Sequence, residues 1–111
     1  MMSAQLLEQD RKLAEVVRRL VKAYAPERIY LFGSMARGED RPDSDYDVMV
    51  IVPDDAPPER TRSRLAYQAL RGTGIAADVL VWTHSCFQRR ARVVASLPAT
   101  VLREGAVLHA V

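Results

Sequence analysis

A single cysteine, Cys86, excludes a disulfide framework, and with two histidines no Cys/His spacing suited to a metal arises. No apolar run approaches the length needed to cross a bilayer. The stretch from Met1 to Arg11 mixes polar and apolar side chains, unlike the basic-then-apolar layout of a secretory leader. Repeats and low-complexity tracts are absent too. Nor does one sign of charge dominate, since 16 Lys+Arg stand against 14 Asp+Glu. What these absences leave is a soluble, cytoplasmic protein with no membrane segment. Its 111 residues suffice for one domain, 1–111, with a modest core.

Charge is uneven along the chain. Residues 1–58 hold 8 basic and 11 acidic side chains, whereas residues 59–111 hold 8 and 3. A basic second half suits phosphates or an acidic partner surface. Direct nucleic-acid binding is not supported, because the excess is small and no basic run carries interleaved aromatics.

Apolar periodicity predicts the elements. Residues 5–24 read as an amphipathic helix through Leu6, Leu13, Val17, Leu20 and Tyr24, capped by Ser3 and stopped by Pro26. Short β-branched and aromatic runs predict strands over 28–32, 45–52 and 76–82. Helices are expected over 59–71, ending at Gly72-Thr73-Gly74, and over 84–96, packing through Phe87, Ala91, Val94 and Leu97. Pro98 opens a last short helix that Gly105 ends, and 106–110 reads as a terminal strand. Cys86 is expected in the core, and Asp54 and Asp55 in solvent within a proline-rich loop.

The informative stretch lies between the first two strands, from Gly33 to Asp47. Asp45 and Asp47 are two apart, so in an extended chain both carboxylates leave one face. Two parallel carboxylates repel unless a divalent cation bridges them, and Mg²⁺ prefers carboxylates together with phosphate oxygens. Gly33 permits close backbone approach, and Ser34 with the following amides can donate to phosphate. Arg37 either reaches those phosphates or pairs with Asp40 or Asp43. Asp78, within the third strand, is costly there unless it has a partner; the alternative is a strand-edge residue bonded to a neighbouring Arg. His84 follows that strand, near the site, and reads as a surface residue.

Because the Gly33-Ser34 turn must meet the Asp pair, strands one and two are expected antiparallel. Parallel pairing of strands two and three would bring Asp78 beside Asp45 and Asp47. The product is a mixed sheet in an α/β domain.

Gly33-Ser34, ten residues, then Asp45-x-Asp47 resembles the signature of the DNA polymerase β-type nucleotidyltransferases. The fuller pattern, Gly-Ser-x-Ala-Arg-Gly through Ser-Asp-x-Asp, is similar to the minimal nucleotidyltransferases, the MNT type paired with HEPN-domain proteins. The resemblance implies a polymerase β-like palm, a mixed sheet flanked by helices. It also implies two Mg²⁺ ions held by Asp45, Asp47 and Asp78, with Gly33, Ser34 and Arg37 on the nucleotide. ATP is the substrate expected by analogy, AMP the group moved, and a tyrosine of a HEPN toxin the acceptor, making the protein an antitoxin. A small-molecule nucleotidyltransferase of aminoglycoside type, working as a dimer, is the second reading. A non-catalytic module that masks a toxin sterically is the third. A palm of this size is expected to need a partner to complete its acceptor site, as a homo-dimer or hetero-oligomer.

Overall fold

The first long helix begins where a carboxylate takes its backbone donors. In the computed structural model, which describes residues 7–33 and 46–111, α1 runs over Arg11–Tyr24. Residues 7–9 are also helical, but Asp10 adopts extended angles and its Oδ1 accepts the Leu13 N–H at 3.0 Å. Aspartate competes with helical continuation in this way, so the predicted helix is interrupted at Asp10, within its apolar stripe. Ser3, the expected cap, lies outside the described residues. At the other end Ala25 turns left-handed (φ 47°) and its N–H bonds Val21 O at 2.9 Å, just before Pro26.

Four strands follow: β1 (Arg28–Phe32), β2 (Tyr46–Val52), β3 (Ala77–Thr83) and β4 (Ala106–Ala110). Their order in the sheet is β3-β2-β1-β4. β1 is antiparallel to both β2 and β4, while β2 and β3 are parallel. The mixed sheet is thus the one expected. Connecting the strands are a 3-10 turn (Pro58–Thr61), α2 (Arg64–Ala69), α3 (His84–Ala91) and α4 (Leu97–Glu104).

β2 is covered on both faces, which explains its apolar composition. Tyr46, Val48, Val50 and Val52 pack with Leu13, Leu20, Tyr24, Ala66 and Leu70 on the side of α1 and α2. Met49 and Ile51 pack with Tyr30, Phe87 and Val101 on the side of α3 and α4. Both helix pairs bury apolar area worth about 25 cal/mol per Å². No helix among the described residues is long and apolar enough to cross a membrane.

Three expectations need correction. The helix expected over 59–71 is split, because Arg62 is extended and its carbonyl accepts the Tyr24 hydroxyl at 2.5 Å. The helix expected over 84–96 stops at Ala91. The chain then turns through 92–96, and Ser96 caps α4 by accepting the Ala99 N–H at 3.2 Å. That turn leaves Val94 77% exposed instead of packed, and Leu97 is exposed as well. Cys86 is half-buried and not a core residue. The last helix and strand, on either side of Gly105, stand where Pro98 and Gly105 placed them.

Candidate active site

Strand direction brings the chemistry to one end of the sheet. β1 ends where β2 begins, since the two are antiparallel, and Phe32 lies opposite Asp47. β3 runs parallel to β2, so it begins at that end too, with Asp78 directly beside Asp47. Side chains alternate along a strand, which puts Asp47 and Asp78 on one face with Met49, Ile51, Leu80 and Trp82. Farther along that face Phe87 and Val101 pack on Met49 and Ile51. The carboxylates stand at the other end, on strands spaced about 4.8 Å apart.

The two differ in environment. Asp47 is half-buried, whereas Asp78, on the edge strand, is exposed. The burial cost inferred for Asp78 from its apolar strand is therefore small. Register, not desolvation, sets it beside Asp47.

Gly33 closes the arrangement. Its φ of +74° is a conformation that side chains other than glycine's resist. A Cβ there would also overlap Asp47 Oδ2 and lie 3.2 Å from Asp47 Cγ. The space beside the Asp47 carboxylate exists because residue 33 has no side chain. Ser34 follows Gly33 directly and Asp45 precedes Tyr46, but Ser34, Arg37 and Asp45 lie outside the described residues. Among the described residues alone, no three His, Cys, Asp or Glu side chains gather to hold a metal.

One contact behind the site was not foreseen. The Tyr46 hydroxyl donates to Asp10 Oδ2 at 2.8 Å, while Oδ1 of the same carboxylate caps α1. One aspartate so ties the first residue of β2 to the helix beneath it. The only hint in sequence was an acid in the midst of a helical pattern, which reads as surface.

Residues 10–99 match the family profile described as a nucleotidyltransferase domain. The chain is a member of that family. Solved structures agree in fold. A Sulfolobus solfataricus protein assigned as a nucleotidyltransferase superposes with TM-score 0.57 at 18% identity, over 95% of this chain and 84% of the other. A toxin–antitoxin structure with AMP-PNP gives TM-score 0.56 at 23% identity, over 86% and 72%. A mutant of the MntA–HpeT toxin–antitoxin pair gives 0.55 at 18%, over 86% and 71%. No curated protein sequence matches the chain.

In this nucleotidyltransferase the remaining polar clusters lie away from Asp47 and Asp78. His84 follows the last residue of β3, at the opposite end of the sheet from Asp78, so it is not near the site. Its Nδ1 lies 2.7 Å from Glu27 Oε1, just before β1. Asp54, exposed as expected, also caps α3 by accepting the Ser85 N–H at 2.8 Å and the Ser85 hydroxyl. Those two bonds, the hydroxyl's first, hold its carboxyl below the usual aspartate range, with His84 adding a weaker push in the same direction.

Proposed function

We propose that this nucleotidyltransferase moves AMP from ATP to a tyrosine hydroxyl of a partner toxin of the HEPN type, in the cytoplasm, and so acts as an antitoxin. The observation that carries the reading is the register of Asp47 against Asp78, at the sheet end where Gly33 leaves room beside a carboxylate. Carboxylates from adjacent strands suit divalent cations, and Asp45, next to Tyr46, would complete the set with Asp47 and Asp78. Bound there, two Mg²⁺ ions would neutralise the triphosphate and acidify the acceptor hydroxyl. The chain's own part is placement. Gly33, through its backbone, and Ser34 would donate to the β- and γ-phosphates. Arg37 is assigned to the same phosphates. Asp78, exposed on the edge strand, is assigned to the acceptor. The acceptor hydroxyl loses its proton to solvent, its oxygen bonds the α-phosphorus, the bond from that phosphorus to the α–β bridging oxygen breaks, and pyrophosphate leaves.

The protein acceptor is favoured by two of the structural neighbours, one solved with AMP-PNP and both toxin–antitoxin pairs. One of them bears Asp-to-Glu changes at two aspartates spaced two apart, the spacing of Asp45 and Asp47. The test is incubation with labelled ATP, Mg²⁺ and the product of an adjacent HEPN gene. AMP is expected on a tyrosine of that product, and co-expression should relieve its toxicity. An Asp47→Asn protein that protects cells as well as the parent would make neutralisation steric. Label appearing on aminoglycosides and never on protein would make the acceptor a small molecule.

A further inference from the structure

The face of the sheet opposite Asp47 and Asp78 carries a second feature, a valley between α1 and α2. One cavity of about 560 Å³ is lined by Arg18, Arg19, Lys22, Ala23, Leu65 and Ala69, with Gln68. A neighbouring cavity of about 410 Å³ shares Leu65 and Gln68 and adds Arg62, Arg64 and Glu59. Leu65 and Gln68 line both.

Helical spacing explains the shape. Arg19 and Ala23 are four apart on α1, and Leu65 and Ala69 are four apart on α2, so each pair forms a row. Arg19 Nη1 donates to Ala69 O at 3.0 Å, which holds the rows side by side. Alanines at 23 and 69 keep the floor low and, with Leu65, make its apolar part, which Arg19 crosses to reach the Ala69 carbonyl. The next rows out, Arg18 with Lys22 and Arg64 with Gln68, form the walls.

The charge is one-sided. Five cations line the valley against one acid, Glu59. Glu15 engages both Arg18 and Arg19 from outside it. Lys22, Arg62 and Arg64 have no ion-pair partner among the described residues, whose pairs are Arg18–Glu15, Arg19–Glu15 and His84–Glu27. An apolar floor between basic walls complements an amphipathic helix that is apolar on one side and acidic on its flanks. Single-stranded nucleic acid fits less well, because it binds through aromatic platforms and no aromatic side chain lines either cavity.

We propose that this valley docks an acidic amphipathic helix of a partner protein, on the face of the sheet away from the carboxylates. The docked helix would add a third member to the α1–α2 layer, its apolar side over Ala23, Leu65 and Ala69. Its acids would meet Lys22 on one wall and Arg62 and Arg64 on the other. The inference does not depend on what the carboxylate end transfers.

Fluorescence anisotropy on the intact chain tests it. The probe is a labelled Glu/Ala/Leu peptide of about sixteen residues, long enough for helix formation, with leucines at helical spacing. Its comparators are a scrambled peptide of the same composition and oligouridylate of about twelve nucleotides. The patterned peptide should bind at least about tenfold more tightly than the scrambled one, because charge alone cannot use the floor. Lys22→Glu combined with Arg64→Glu should weaken it at least about tenfold. Ala69→Gln, which raises the floor without altering charge, should weaken it as well. Circular dichroism and melting of each variant separate lost binding from lost fold. Equal binding of the scrambled peptide, preference for the oligonucleotide, or no binding of the patterned peptide overturns the proposal. So does an Ala69→Gln variant that is folded and binds like the parent.

Discussion

Gly33 is the residue at which conformation and chemistry meet. Its left-handed backbone and its contact with the Asp47 carboxylate both require a missing side chain. Gly33→Ala is expected to lose about 1–2 kcal/mol from the backbone strain alone, with the displacement of Asp47 added to it. Denaturant unfolding measures the loss, and the rise in melting temperature on adding ATP–Mg²⁺ should shrink or vanish in the variant. A variant with parental stability and parental ATP shift would refute this role. At this scale Gly33 and Asp47 were legible because spacing, residue type and flanking strands agree within fifteen residues of sequence. Asp78 was legible by its position in a strand, but not by its environment. Whether an edge position is covered depends on packing that sequence does not record, and Asp78 proved exposed. The role of Asp10 is illegible for the same reason, since its partner Tyr46 is far along the chain.

Elements were legible where local signals end them and illegible where distant ones do. β1 and β4 have the bounds that composition predicted, and α4 lies between Ser96 and Gly105 as turn chemistry requires. The helix expected over 59–71 broke at Arg62, where a tyrosine from α1 claims a carbonyl. α3 begins under a similar long-range influence. Thr83 occupies the cap position yet makes no side-chain cap bond, and Asp54 from the β2–α2 loop does the capping. The Ser85 hydroxyl and then the Ser85 amide stabilise the ionised carboxylate, so its pKa is lowered in the folded protein. A lowered folded value means that the contribution is present above the unfolded pKa of about 3.9 and is lost as pH falls through the folded value. Asp54→Asn should therefore be less stable than the parent at neutral pH, with the difference closing as pH falls below the unfolded value and through the lowered folded one. Denaturation midpoints at several pH values check this. Curves that stay parallel down to acid would show that the carboxylate charge contributes nothing to the cap.

The whole molecule separates its tasks by sheet face and sheet end. α1 and α2 cover one face of the sheet and α3 and α4 part of the other, while Asp47 and Asp78 stand at the end of that second face. Antiparallel and parallel pairing on the two sides of β2 made this legible, because only that combination brings the Gly33 turn, Asp47 and Asp78 together. Asp47 has Gly33 against it and Tyr46 anchored beneath, whereas Asp78 lies on the open edge. The two carboxylates should then fail differently. Asp47→Asn changes the group set against Gly33, and both ATP–Mg²⁺ binding and transfer should be lost. Asp78→Asn, at an exposed position, should change unfolding stability by no more than about 0.5 kcal/mol, in the stabilising direction if repulsion from Asp47 dominates. Its ATP affinity should stay near the parent's, since in the proposed function the triphosphate is assigned to the Gly33 side. Its transfer rate should fall by about 100-fold or more, because what it removes acts on the acceptor in the transition state. Calorimetry with ATP–Mg²⁺ and single-turnover transfer on the same protein samples separate the two effects. If Asp78→Asn loses ATP binding as completely as Asp47→Asn, the carboxylates act as one metal cradle and the assignment of Asp78 to the acceptor is wrong.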